Sequence, residues 1–160
     1  MQQQQHDRTA ATQAYTGREA SNTPDLDMNA WKGWVRLVGC YDGDTITVIV
    51  RFLGEFFKVH VRVSGIDAPE LRGVSHDRGM EARDCLIAHL TGCDCKGMTT
   101  RQVREILHGN VYLVWLNCGK NDKYGRVLCD VYSEPDCADT NAATAMLGAG
   151  LARPYFGGKR

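Results

Sequence analysis

TITVIVRFLGEFFKVHVRVS, residues 45–64, is the stretch that decides the fold. Its first part is dense in β-branched residues, which favour extended backbone. Ile46, Val48 and Val50 fall on one face of a strand, and Thr47 and Arg51 on the other with Ile49 between them. Leu53, Gly54 and Glu55 mark a turn. In FFKVHVRVS, Phe57, Val59, Val61 and Val63 alternate with Lys58, His60, Arg62 and Ser64, the pattern of a clean half-buried strand. Such a pair needs a covered hydrophobic face to be stable.

Upstream, WKGWVRLVGC (residues 31–40) reads as a third strand, joined to the pair through the turn YDGD at 41–44. Residues 1–29 carry glutamines and small polar residues without apolar rhythm, so a disordered tail is expected there and a folded domain over 30–160. Downstream, GIDAPELRG (65–73) is a loop, with Pro69 inside and a glycine at each end. The spacing predicts a helix over 80–90, ended by Gly92. A second helix is expected over 100–107, opened by Thr99 and Gln102 at capping-box spacing. VYLVWL (111–116) is apolar on both faces and reads as a central buried strand. NCGKNDKYG is a loop, RVLCDVYS another strand, and 141–147 a short final helix. This order suits a mainly β fold: a five-stranded closed barrel of antiparallel-capable strands with about three peripheral helices.

The 160 residues suffice for one domain with a sizeable core. Lys plus Arg and Asp plus Glu are 19 each, which counts against a binder working by bulk positive charge. It leaves room for an enzyme that concentrates charge at one site and recruits a cation. No apolar run is long enough for a membrane helix, and no export signal is visible, so an intracellular or virus-encoded protein is expected. The seven cysteines then read as free thiols. Cys93 and Cys95 stand too close for a usual zinc pair, and no second pair follows.

Three short stretches carry candidate chemistry. Asp42 and Asp44 flank Gly43 in a turn and are good hard-cation ligands, although Asp and Gly also favour turns for backbone reasons. Asp67 and Glu70 lie in IDAPE, where rigid Pro69 can hold both acids toward a cleft. Arg62 sits five residues before Asp67 on the polar face of its strand, and Arg126 follows DKYG at the entry to a later one. Guanidinium groups fit phosphate oxygens. Taken singly, each of these residues reads as a turn acid or a solvated arginine. Together they offer what phosphodiester cleavage needs: carboxylates for a divalent ion and for water, and two arginines for the charge on phosphorus.

DGDT at 42–45, VRVSGIDAPE at 61–70, GMEA at 79–82, DKYGRVL at 122–128 and GLARPY at 150–155 occur in the order found in the micrococcal, or thermonuclease-like, nuclease family. The resemblance spans residues 31–156. It implies a five-stranded oligonucleotide-binding type barrel with three helices. It also implies calcium-dependent hydrolysis of DNA and RNA, with little base selectivity and 3′-phosphate ends. By the same resemblance, Asp44, Asp67 and the backbone carbonyl of Ala68 hold Ca²⁺, with Asp42 behind them through water. Glu70 is the base for the attacking water, and Arg62 and Arg126 clamp the scissile phosphate. Lys123, Tyr124 and Tyr155 contact the nucleotide, with the spacing at Tyr155 altered by Pro154. Backbone recognition suits single-stranded or frayed DNA or RNA, bound by a monomer away from any membrane.

Two departures stand out. Residues 91–110 form a longer connection than in the compact bacterial enzymes, fit to cover the barrel, shape access or bind a partner. The zero net charge differs from the basic, secreted members. The rival reading is a catalytically inactive nuclease-like barrel that binds RNA or protein. Such modules lose the acids and arginines that are present here.

Overall fold

The computed structural model describes residues 12–14, 16–19, 21–22, 28–135 and 137–157. Most of the expected tail lies outside them. The strands are β1 (Lys32–Asp42), β2 (Thr45–Phe52), β3 (Glu55–Val63), β4 (Ile66–Asp67), β5 (Tyr112–Asn121), β6 (Val127–Tyr132) and β7 (Arg153–Pro154). The α-helices are α1 (His76–Thr91), α2 (Thr100–Gly109) and α3 (Ala142–Gly148). Five strands close a barrel in the order β1-β2-β3-β6-β5, while β4 and β7 form a separate two-stranded ladder. The barrel with peripheral helices is therefore the fold that the sequence pattern predicts. Among the described residues, no helix is long and apolar enough to cross a membrane.

One pairing departs from the antiparallel expectation. β3 and β6 run parallel, with Val61 opposite Val127 and Val63 opposite Cys129. Parallel neighbours need a long crossover, here α1, α2 and β5 together. This contact closes the barrel. It also explains a correction to β3. Only Val61, Arg62 and Val63 meet β6, so the first half of β3 projects as one arm of the β2–β3 hairpin. The alternation persists there, but the apolar face has little to cover: Phe57 is 48% exposed.

Ile46, Val48 and Val50 are buried as their spacing predicts, packed with Val61, Val63, Leu37, Val114, Leu116 and Val131. Each such side chain contributes about 1.5–3 kcal/mol of transfer free energy. α1 covers one opening with Ala82, Leu86, Ile87 and Leu90. It begins at His76, one turn before the expected start, and ends at Gly92 in the left-handed conformation. α2 has the predicted capping box: Gln102 N–H donates to Thr99 Oγ1 (3.3 Å), and Thr99 N–H donates to Gln102 Oε1 (2.9 Å).

VYLVWL is not a central strand buried on both faces. Val114 and Leu116 point inward, but Leu113 is 50% exposed on the outer face. There Trp115 meets Trp34 of β1 edge to face, with ring centroids 5.6 Å apart. The expected loop after it also shortens, because β5 continues through Asn121.

The long connection covers the barrel. Val103 and Leu107 of α2 and Cys95 before it join the core. Its entry is tied to α1 by the fully buried Arg83, which donates to Met98 O (2.7 Å) and to Asp84 Oδ1. Asp84 Oδ2 in turn accepts from Gly97 N–H (3.2 Å).

Candidate active site

The β1–β2 turn sets the first acids. Asp42 ends β1, and its Oδ1 accepts the N–H of Asp44 (3.1 Å), a local carboxylate-to-backbone turn. Gly43 between them has no room for a side chain: a Cβ there would stand 2.7 Å from Ala82 Cβ and 2.8 Å from Ala68 Cβ. The turn is thus seated between α1 and the acid loop. Asp44 is 3% exposed and fully engaged. Its Oδ2 accepts from Ala68 N–H (2.7 Å), and its Oδ1 accepts from Thr45 Oγ1 (3.0 Å) and faces Arg62 Nη1. Burial pushes the Asp42 carboxyl above the usual carboxylate range, against the pull of the Thr45 hydrogen bonds and Arg62; Glu70 adds to the rise.

Arg62 is not a solvated arginine. It is 5% exposed, because β6 pairs beside it and the acid loop folds over it. Its Nη2 donates to Ile66 O (3.1 Å) and Asp67 Oδ1 (3.3 Å). Asp67 is also buried, and its Oδ2 accepts twice from Arg153, at 3.1 and 2.8 Å. Asp67 and Arg153 are register partners in the β4–β7 ladder. Between Arg62 and Asp44, where both side chains are buried, removing one member typically costs about 3–5 kcal/mol, because the other charge is left uncompensated.

Arg126 comes from the β5–β6 turn and is organised by Asp122. Asp122 Oδ1 accepts the N–H groups of Tyr124 (2.8 Å) and Arg126 (3.0 Å), and Oδ2 accepts Arg126 Nε (2.7 Å). Burial alone would raise the Asp122 carboxyl; these hydrogen bonds outweigh it and hold the group below its ordinary value. Arg126 Nη1 donates to Thr45 Oγ1 (3.3 Å), so Thr45 bridges Arg126 to Asp44. The Tyr124 ring lies under both Lys123 Nζ (5.0 Å) and Arg126 Cζ (5.5 Å).

These pieces meet at a cleft of about 1450 Å³. Arg62, Glu70, Arg126, Lys123, Tyr124 and Tyr155 all line it. Glu70 is exposed, and its loop is held by α1: a Cβ on Gly79 would stand 2.5 Å from Glu70 O. Glu70 also borders a smaller hollow of about 380 Å³, shared with Asp67, Ala68, Arg78 and Arg153. Asp42 and Asp44 are absent from both linings and stand behind the Arg62 wall.

Three residues of the network escape a reading of single positions: Thr45, Asp122 and Arg153. Thr45 and Asp122 lie inside the quoted motifs, and a search for hydrogen-bonding neighbours of Asp44 and Arg126 would have found them. Arg153 lies inside one too, GLARPY, but its pairing with Asp67 becomes visible only through the β4–β7 register.

The donors of Asp44, Asp67 and the Ala68 carbonyl are all oxygen and suit a hard cation. Among the described residues, no three His, Cys, Asp or Glu side chains form a ready cage. Two carboxylates and one carbonyl fit an ion that keeps several waters. Arg62 pairs with both the Asp44 and Asp67 carboxylates, and Arg153 with that of Asp67.

A family model described as Staphylococcal nuclease homologue matches residues 60–160, well over half of the chain. The match begins after the 42–45 turn, so barrel pairing, not the matched segment, brings Asp42 and Asp44 to the site. No curated protein matches the chain.

Proposed function

We propose that this chain, which belongs to the staphylococcal nuclease homologue family, is a calcium-dependent endonuclease that hydrolyses phosphodiester bonds of DNA and RNA to 3′-phosphate ends. One observation carries the reading: Arg62, Arg126 and Glu70 converge on a single cleft, with buried Asp44 and Asp67 directly behind it.

Arg62 and Arg126 bind the non-bridging phosphate oxygens and offset the charge that grows on them as water adds. Arg62 is held at a fixed angle by Asp44, Asp67 and Ile66 O; Arg126 is held by Asp122 and Thr45. Such anchoring lowers the reorganisation needed during reaction. Glu70 accepts the proton of the attacking water. The water oxygen bonds to phosphorus and the bond to the 5′ oxygen breaks; that oxygen, hydrogen-bonded by Arg126, takes a proton from solvent and departs as the 5′-hydroxyl, and Glu70 returns its proton to solvent. Lys123, Tyr124 and Tyr155 hold the neighbouring phosphate and sugar. Asp44, Asp67 and the Ala68 carbonyl would hold calcium, with Asp42 behind, and the ion supplies Lewis-acid stabilisation of phosphoryl charge.

The test is a cleavage assay on single- and double-stranded DNA and RNA with calcium, magnesium or manganese, followed by end-group analysis. Calcium-preferred cleavage to 3′-phosphate ends is expected, lost in Glu70→Ala and Arg126→Ala with the fold intact. Predominant 3′-hydroxyl ends would overturn the mechanism. Binding without cleavage under every ion would favour the inactive nucleic-acid-binding barrel.

A further inference from the structure

The barrel interior holds a pair of groups that the cleavage reading does not use. Cys118 of β5 and Cys129 of β6 are register partners on antiparallel strands. Both are buried in the core, at 4% and 0% exposure. Cys118 directs its backbone groups away from β6: its N–H donates to Trp31 O (2.8 Å), and its carbonyl accepts from Ala30 N–H (2.8 Å). The Cys129 carbonyl likewise turns to the far side, where it accepts from Ser64 N–H (2.9 Å). The Cys118–Cys129 rung is therefore a non-hydrogen-bonded pair, the kind that brings side chains closest. Such rungs set Cα atoms about 4.5 Å apart, inside the range that a disulfide spans.

The two sulfurs meet there. Cys129 Sγ donates to Cys118 Sγ at 3.1 Å, about 1 Å beyond a bonding distance. Other thiols are engaged elsewhere: Cys40 donates to Asp42 O (3.2 Å), and Cys93 meets the Tyr112 hydroxyl (3.0 Å). The pair also stands at a boundary. The β5–β6 register is regular from Trp115 to Cys118 and slips before Asn121. Beyond the slip lies the turn that carries Lys123, Tyr124 and Arg126 to the cleft. Cys118–Cys129 is thus the last regular rung at the base of that turn.

We propose that Cys118 and Cys129 are an oxidisable dithiol, joined by a peroxide into a cross-strand disulfide that fastens the Arg126-bearing turn to the barrel. Peroxide, a molecule little larger than water, enters through local opening of the barrel. The Cys129 hydrogen bond holds the Cys118 thiol below its ordinary range, against the effect of burial, so Cys118 attacks first. Its thiolate bonds to one peroxide oxygen, the O–O bond breaks, and the other oxygen leaves as hydroxide, which takes up a proton as water. Cys129 then loses its proton and attacks the Cys118 sulfur; the S–S bond forms, the S–O bond breaks, and a second water leaves. The two thiols give up two electrons, and the peroxide is reduced to two waters.

The test treats the reduced full chain with hydrogen peroxide, unfolds it in N-ethylmaleimide, and maps the digest by mass spectrometry. The peptides holding Cys118 and Cys129 are expected as one linked species, lighter than the dithiol pair by two hydrogens, unlabelled, and separated by dithiothreitol. The thermal midpoint of the oxidised chain should rise by roughly 5 °C or more, because the bond closes a ring of about a dozen residues in the unfolded chain. Cys118→Ala and Cys129→Ala should each lose that rise. If both thiols take the label after a treatment that has oxidised the exposed Cys137, the proposal is overturned and the pair is packing alone. A bridge that leaves the midpoint unchanged overturns the fastening. The mapping uses the wild-type chain, so it decides the matter even where an alanine variant does not fold. Neither readout involves nucleic acid or calcium, so the result stands apart from the cleavage reading.

Discussion

Thr45 joins the two halves of the site with one hydroxyl, donating to Asp44 and accepting from Arg126. It lines the cleft, and these two bonds make it a positioning residue. Thr45→Val keeps the shape and removes both bonds. Hydrogen bonds to charged groups are worth about 1.5–3 kcal/mol, so kcat should fall roughly 10-fold or more, and Thr45→Ser should restore it. An equal loss in both variants would assign the residue to packing. Asp122 acts on Arg126 in the same indirect way. Its carboxyl is held below the ordinary value, so the folded state binds fewer protons than the unfolded one as pH falls. The stability this contributes is fully present above the unfolded pKa, near 3.9, and disappears as pH drops through the folded value. Asp122→Asn should therefore lie below the wild type in thermal midpoint at neutral pH, with the gap narrowing below about pH 4. A gap constant to pH 2 would show that the carboxylate charge is not what matters. Single acids and arginines were legible as candidates in the sequence because their types suit phosphate chemistry. Their partners were not, because a hydrogen bond between Thr45 and Arg126 joins positions far apart in the chain.

At the scale of elements, local signals were the readable ones. The Thr99–Gln102 capping box and the left-handed Gly92 stop depend on residues within a turn of each other, and both are present. The early start of α1 depends on a distant contact. Gly79 lies in that extra turn, pressed on the backbone of Pro69 and Glu70. Gly79→Ala would force apart the helix and the acid loop, at about 1–3 kcal/mol for overpacking. It should also lower kcat, because the loop carries Glu70. Thr99→Ala is the control: loss of the cap costs about 1 kcal/mol and should leave kcat unchanged. Measuring both variants by thermal melts and turnover separates a helix that merely covers the barrel from one that aims Glu70. A Gly79→Ala enzyme with full kcat would remove α1 from the positioning account. β5 was misjudged for a related reason: its apolar outer residues Leu113 and Trp115 say nothing about whether another layer lies over them.

For the whole molecule, a net charge of zero conceals strong local ordering of charge. Asp44, Arg62, Asp67 and Arg153 alternate in one chain of ion pairs, gathered from the β1–β2 turn, β3, β4 and the C-terminal β7. The β2–β3 pairing brings Asp44 to Arg62 and the β4–β7 ladder brings Arg153 to Asp67, and no pattern within one segment encodes the whole chain of pairs. The last member has a testable consequence. The Arg153 side chain is 67% exposed, so its pair with Asp67 has the solvent screening of a surface bridge, worth about 0–1 kcal/mol. Arg153→Met should therefore leave metal-free stability nearly unchanged. Yet Arg153 donates twice to Asp67 Oδ2, on a carboxylate that the proposed function gives to the ion. Its removal should shift the calcium dependence of the thermal midpoint to lower concentration, since an ion that binds only the folded chain stabilises it by RT ln(1 + [L]/Kd). Asp67→Asn should abolish the calcium response and, unlike Arg153→Met, also destabilise the metal-free protein, because Arg62 would lose a buried carboxylate. If Arg153→Met responds to calcium only at higher concentration, Arg153 supports the ion and does not compete with it. If neither variant alters the response, Asp67 is not a calcium ligand, and the metal part of the proposed function fails with it.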